Sequence, residues 1–155
     1  GDMVSFDTDL IGHYGYCSDI SRSWLCGDRP SDQQRRNYSA AYEQIGTNIG
    51  VLRAGLTFHE VSERCWRIPQ EYLSNRYPSL MHGVGRADEY PSIKHEVDLA
   101  AKGYEGVLGP GMVICVESFI GVEGGREGVK LEEQVMISTS GVERMSSLPF
   151  ETDRL

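Results

Sequence analysis

The sequence predicts an α+β domain, with a strand hairpin first, helices after it and further strands towards the end of the chain. Three observations carry that reading. Alternating segments near the N-terminal end are joined by a glycine-rich turn, one long apolar stripe has helical period, and three strand-like segments crowd the last third of the chain. With 155 residues, 39% hydrophobic and 25% charged, the chain amounts to one domain and is long enough to bury a core.

Residues 3–9 and 14–25 read as a hairpin turning around Gly12-His13-Tyr14-Gly15. Asp7 and Asp9 are two positions apart, so a strand puts both on one face, with Val4 and Phe6 at the alternating positions. Residues 31–53 follow as a helix, because Tyr38, Ala41, Tyr42, Ile45, Ile49 and Leu52 recur at helical spacing and the stripe stops before Gly55. Thr57 and Glu60 have the spacing of a capping box and open a second helix, which Pro69 should kink or shorten. Residues 79–87 supply a short strand, and 92–110 a long surface loop closed by Gly109-Pro110-Gly111. Strands are expected near 112–118, 129–138 and 142–145.

Bulk charge narrows the function. Fifteen basic residues against 23 acidic ones give a net charge of −8 with no basic patch, which argues against nucleic acid. The apolar runs are too short for a membrane span and no signal peptide is visible, so a cytoplasmic protein is expected. Cys17, Cys26, Cys65 and Cys115 form no C-x-x-C pair and read as buried, reduced thiols.

Six residues point to a metal site: Asp7, Asp9, Asp19, His82, Glu117 and Glu132. Each sits on a strand or a strand end, where aspartate is disfavoured. Glu117 closes the apolar run Met112 to Val116, which does not tolerate an unpaired charge. Taken singly, the residues also read as solvated carboxylates, a core histidine and a salt-bridged glutamate. Together, five carboxylates and one imidazole form a hard, oxygen-rich set that suits a pair of divalent first-row cations better than a structural zinc. Glu132 and Glu133 point to opposite faces of one strand. Tyr77, Tyr90 and Trp66 offer ring faces to a cationic ligand, although such residues are more often plain core.

The motifs G-D-x-V-x-x-D, G-Y-x-x-D, H-G-x-G, P-G-M-V-x-x-x-E and E-x-x-V stand in this order between Gly1 and about Arg144. In them the chain resembles the pita-bread metalloenzymes, the family of methionine and Xaa-Pro aminopeptidases and prolidases. The resemblance implies a curved antiparallel sheet backed by helices, the creatinase/aminopeptidase fold. It implies that residues 1–155 are the C-terminal portion of such a catalytic domain, with an N-terminal domain and leading helices lying outside this chain. It also implies a homodimer. Motif register selects Glu132 over Glu133 and leaves Glu133 as a solvent-facing charge.

Two departures point to one branch of the family. The interval from Asp7 to Asp19 is one residue longer than in the peptidases, with Asp9 added between them. Where the peptidases carry a proton-handling histidine in H-E-x-P, this chain reads Asp88-Glu89-Tyr90-Pro91. These features look like the dimethylsulfoniopropionate (DMSP) lyases of the same fold. That likeness implies β-elimination of a small zwitterion to dimethyl sulfide and acrylate. Asp88 would be the base, the six residues above would hold two divalent ions, and Tyr77 would lie at the sulfonium. Iron is the implied metal, with Mn, Co and Zn open. The rival readings are an Xaa-Pro aminopeptidase, prolidase-like or creatinase-like hydrolase, and a non-catalytic pita-bread binding module.

Overall fold

Two antiparallel sheets and three helices make up the described residues, 1–152, of the computed structural model. Strands β1 (Met3–Ile11) and β2 (Cys17–Leu25) pair as a hairpin, with Asp9 opposite Asp19 and Asp7 opposite Ser21. The turn between them needs left-handed backbone at Tyr14 (φ 59) and Gly15 (φ 80). The second sheet is built from β3 (Met81–Gly83), β4 (Ser92–Ile93), β5 (Val113–Ile120), β6 (Val129–Ile137) and β7 (Val142–Arg144), in the order β4-β3-β5-β6-β7. The α+β expectation is therefore met, with every paired strand antiparallel.

Helix α1 (Asp32–Val51) starts at a full capping box. Ser31 Oγ accepts from Gln34 N at 3.2 Å, and Gln34 Oε1 accepts from Ser31 N at 2.7 Å. Its buried face lays Tyr38, Ala41 and Ile45 over Ile114, Val116 and Ile120 of β5 and Leu131, Val135 and Ile137 of β6. Each large apolar side chain buried this way contributes about 1.5–3 kcal/mol. Tyr42, counted in the helical stripe, is exposed and instead meets Phe150 edge-on at 5.6 Å. Helix α2 (Phe58–Arg64) opens on the expected Thr57–Glu60 box. It ends at Arg64, so Pro69 neither kinks nor shortens it and opens a 3-10 turn over Gln70–Asn75 instead.

Three further expectations are corrected. Residues 92–110 are not a plain surface loop. Ser92–Ile93 pairs with β3, a 3-10 turn and helix α3 (Leu99–Lys102) follow, and Ile93 and Leu108 are buried. The thiols are all free, yet Cys26 is exposed and Cys17 only half-buried. Glu133 does not face solvent. It lies opposite Glu132 as strand alternation requires, but α1 and the C-terminal segment cover that face of β6 as well. Arg22 reaches Glu133 Oε2 at 2.9 Å, donates to Leu148 O and stacks on Phe150 at 4.0 Å. A buried carboxylate keeps its charge only with such a partner.

The hairpin joins β6 through side chains rather than a backbone ladder. Ser23 Oγ donates to Lys130 O at 2.7 Å and accepts from Lys130 N at 3.1 Å, while Asp19 N donates to Gln134 Oε1 at 3.0 Å. This joint brings the face of β1 and β2 that carries Asp7, Asp9 and Asp19 over the polar face of β6. Val4, Phe6 and Leu10, on the opposite face of β1, are exposed. No helix among the described residues is long and apolar enough to cross a membrane.

Candidate metal centre

Strand register assembles the site. Glu117 of β5 is the direct cross-strand partner of Glu132 of β6, and His82 of β3 is the partner of Cys115 of β5. Alternation places Cys115 and Glu117 on one face with Lys130, Glu132 and Gln134. His82 Nε2 then lies 3.0 Å from Glu117 Oε1, 3.5 Å from Asp19 Oδ2 and 3.7 Å from Glu132 Oε1. One ligand atom from each of these four buried residues falls within 4.8 Å of the others.

The remaining expected residues join this core. Asp9, Asp19 and Asp88 form a second group within 4.8 Å that shares Asp19. Asp7 is linked through Ser21, whose Oγ lies 2.6 Å from Asp7 Oδ1 and 2.9 Å from Glu132 Oε2. All six sequence-predicted ligands and Asp88 are thus gathered around the junction of hairpin and sheet.

Gly83 makes the approach of Asp88 possible. A Cβ at Gly83 would lie 2.5 Å from both Pro91 Cδ and Tyr90 O, so only glycine lets the 84–91 loop fold back on β3. Gly83 N donates to Pro91 O at 2.7 Å and holds that return. Asp88 is 22% exposed, with Oδ1 accepting from Glu89 N at 2.9 Å and lying 3.5 Å from His82 Nδ1.

The electrostatics call for added positive charge. Glu117 and Glu132 are buried like charges directly opposite each other, an arrangement that is destabilising unless compensated. Ser21 has one hydroxyl proton and cannot donate to Asp7 and Glu132 at once. Glu132 Oε1 is buried with no hydrogen-bond partner. Burial, reinforced by the Glu132 charge, pushes the Asp19 carboxyl up, and burial with the neighbouring Glu117 pushes Glu132 up. Burial alone would lower His82, but its hydrogen bond to Glu117 and the surrounding carboxylates raise it well above its ordinary range. An orphaned oxygen, an over-subscribed hydroxyl and an oxygen-rich donor set all fit divalent cations at this place.

Three participants were missed from sequence: Lys130, Ser21 and Cys115. Each lies two positions from an expected ligand on the same strand face, so alternation was the available signal. Lys130 Nζ is paired with Glu117 Oε2 and sits 4.2 Å from the Tyr77 ring centroid. One face of Tyr77, offered above to a substrate cation, is therefore taken by a cation of the chain itself. The Tyr77 hydroxyl donates to Glu89 Oε1 at 3.3 Å. The other two aromatics stand elsewhere: Tyr90 stacks on Tyr104, and Trp66 lines a cavity with Ile68, Leu73 and His95.

His95 supports Tyr77 by donating from Nε2 to its carbonyl at 2.9 Å. Burial pushes His95 down to about 4, from 6.5 in the unfolded chain, so the folded protein holds it neutral. A lowered histidine pKa means that the unfolded state binds the extra proton between those values. The associated stability is complete above pH 6.5 and is lost as pH falls towards 4. At pH 5 this amounts to about 2 kcal/mol. Thermal melts of wild type and His95→Gln should diverge less at pH 5 than at pH 7.5. A gap that is constant with pH would refute the assignment.

The sequence profile of metallopeptidase family M24 matches residues 1–139. A dimethylsulfoniopropionate lyase of Roseovarius nubinhibens is 44% identical over 151 residues, covering 97% of this chain and 34% of its own length. A second, from Roseobacter denitrificans, is 40% identical with the same coverage. Among solved structures, a prolidase from Pyrococcus furiosus superposes with a TM-score of 0.79 at 30% identity, covering 95% of this chain and 42% of the prolidase. The chain spans about a third, 34%, of the length of those two lyases.

Proposed function

Because this chain belongs to metallopeptidase family M24, the pita-bread metalloenzymes, we propose that it carries the metal-binding portion of a carbon–sulfur lyase acting on DMSP. Asp7, Asp9, Asp19, His82, Glu117 and Glu132 hold two divalent ions, with iron as the native metal and a homodimeric, cytoplasmic protein as the setting. The observation that carries the reading is Asp88. A partly exposed carboxylate stands against His82 and Asp19, at the chain position where the peptidase motif that this sequence resembles carries a histidine.

The chemistry follows from that carboxylate. The α-proton of a free carboxylate is very weakly acidic, because its loss places two negative charges together. Bound ions supply the positive charge that offsets this build-up. Asp88 accepts the proton on a carboxylate oxygen, the C–H electron pair becomes the new C=C bond, and the C–S pair leaves with sulfur. Acrylate and neutral dimethyl sulfide result, and no acid is needed for the leaving group. Asp88 then returns its proton to solvent, which its 22% exposure allows. The hydrogen bond from Glu89 N holds the carboxylate in place for transfer.

The second reading is a prolidase-like hydrolase, favoured by the structural likeness to prolidases. Cleavage of a peptide bond needs a proton donor for the leaving amine, a role to which histidine is better suited than aspartate. The complete protein should release dimethyl sulfide from DMSP and contain two metal equivalents per subunit by elemental analysis. Hydrolysis of Xaa-Pro peptides with Mn(II), without dimethyl sulfide release, would reverse the choice.

A further inference from the structure

The cavity beside Trp66 measures about 280 Å³, at the small end for ligand sites. It lies between helix α2 and the 3-10 turns over Gln70–Asn75 and Glu96–Asp98, and neither Asp88 nor any of the six expected metal ligands lines it. Trp66, Ile68, Leu73, Leu80 and Val97 give it an apolar wall. That wall is held in place. Trp66 N donates to Asn48 Oδ1 at 2.8 Å, and Arg76 donates to both oxygens of Asp98 at 3.0 and 2.7 Å, tying one turn to the other.

One polar atom of the wall is left over. His95 is buried and neutral, and its Nε2 donates to Tyr77 O at 2.9 Å, which fixes the ring proton on that nitrogen. Nδ1 is then a lone-pair acceptor, and no donor meets it among the described residues. It is not one of the side-chain atoms sealed in the interior without a partner, so it opens on the cavity that His95 lines. The charged side chains of the wall, Arg67 and Glu96, pair with each other at 3.4 Å in largely solvated positions. The cavity therefore offers no unpaired charge to an ion.

We propose that this cavity binds a neutral, planar aromatic molecule carrying one N–H or O–H donor, an indole or a phenol, which donates to His95 Nδ1. The ring gains from burial against Trp66 and the aliphatic wall. The donor satisfies the one acceptor that the fold leaves open. A charged molecule would lose its hydration without gaining a partner. The site stands one residue away from the metal centre, since His95 also supports the carbonyl of Tyr77, whose ring carries Lys130.

The test is a calorimetric titration of the complete, metal-loaded protein with indole and with benzofuran, a ring of the same size and charge that lacks the donor. Wild type should take up one indole per subunit and bind benzofuran about three- to tenfold more weakly. Val97 is 60% exposed at the rim of the cavity, so Val97→Trp adds bulk there without disturbing the core. It should weaken indole by about tenfold or more, because the new ring takes the volume that the ligand needs. His95→Phe keeps an aromatic ring but removes the acceptor, and should bind both probes alike. Should that variant fail to fold, the benzofuran and Val97→Trp results still decide. No uptake of indole, equal binding of the two probes by wild type, or unchanged indole affinity in Val97→Trp would each overturn the proposal. So would a preference for indole that survives in His95→Phe. None of these readouts involves DMSP or the metal count, so failure here leaves the lyase reading untouched.

Discussion

Asp88→Asn should lower DMSP turnover by about 10²- to 10³-fold while leaving the metal content unchanged, as expected for a lost general base. The substitution keeps the size of the side chain, and the asparagine Oδ1 can still accept from Glu89 N, so the loop should hold its place. What is removed is the second oxygen's capacity to take a proton. The loss should therefore appear in kcat, with KM nearly unchanged. A hydrolase that relies on an activated water would lose less, and its peptide cleavage would survive. Asp88→His, which restores the peptidase pattern, should not rescue dimethyl sulfide release. Wild-type-like turnover by Asp88→Asn would refute the role and move the search to the ligand carboxylates.

Glu117→Ala should be more severe still, with turnover falling on the order of 10³-fold or more and at least one ion lost. Glu117 touches both halves of the centre. Its Oε1 is 3.0 Å from His82 Nε2, and its Oε2 pairs with Lys130. Deleting it removes a buried carboxylate and leaves the Lys130 ammonium without its closest partner, a change that costs several kcal/mol in comparable buried pairs. Glu117→Gln separates the two effects, because it keeps the volume and loses only the charge. Elemental analysis should show reduced metal in both variants, with the thermal stability of the Gln protein nearer to wild type. Full metal content together with full activity in either variant would show that Glu117 is not a ligand.

Several features of this protein were legible because they depend only on local geometry. The two-residue spacing of Asp7 and Asp9 predicted a shared face, and the hairpin indeed sets that face against Ser21 and Asp19. The Thr57–Glu60 capping box formed as read, since both of its hydrogen bonds close within one helical turn. Errors arose where distant segments cover one another. Alternation correctly separated Glu132 from Glu133, but α1 and the segment around Leu148 to Phe150 turned the expected solvent face into a buried one. Residues 92–110 looked like loop because their strand pairing is only two residues long and too short to leave a period in the sequence.

The sequence by itself determined the family and the residue types available to a metal: those types, their order and the Asp88 departure are all local facts. Only the tertiary structure decided how those groups share their charge. Ser21 and Glu132 stand 111 positions apart, and their contact exists because the hairpin docks on β6 through Ser23 and Asp19. Lys130 became part of the centre in the same way, since its neighbours Asp7 and Tyr77 come from other strands and turns. Spacing along the chain sets which face a side chain takes. Which charges meet on that face is set by what packs over it, and packing is a property of the whole fold.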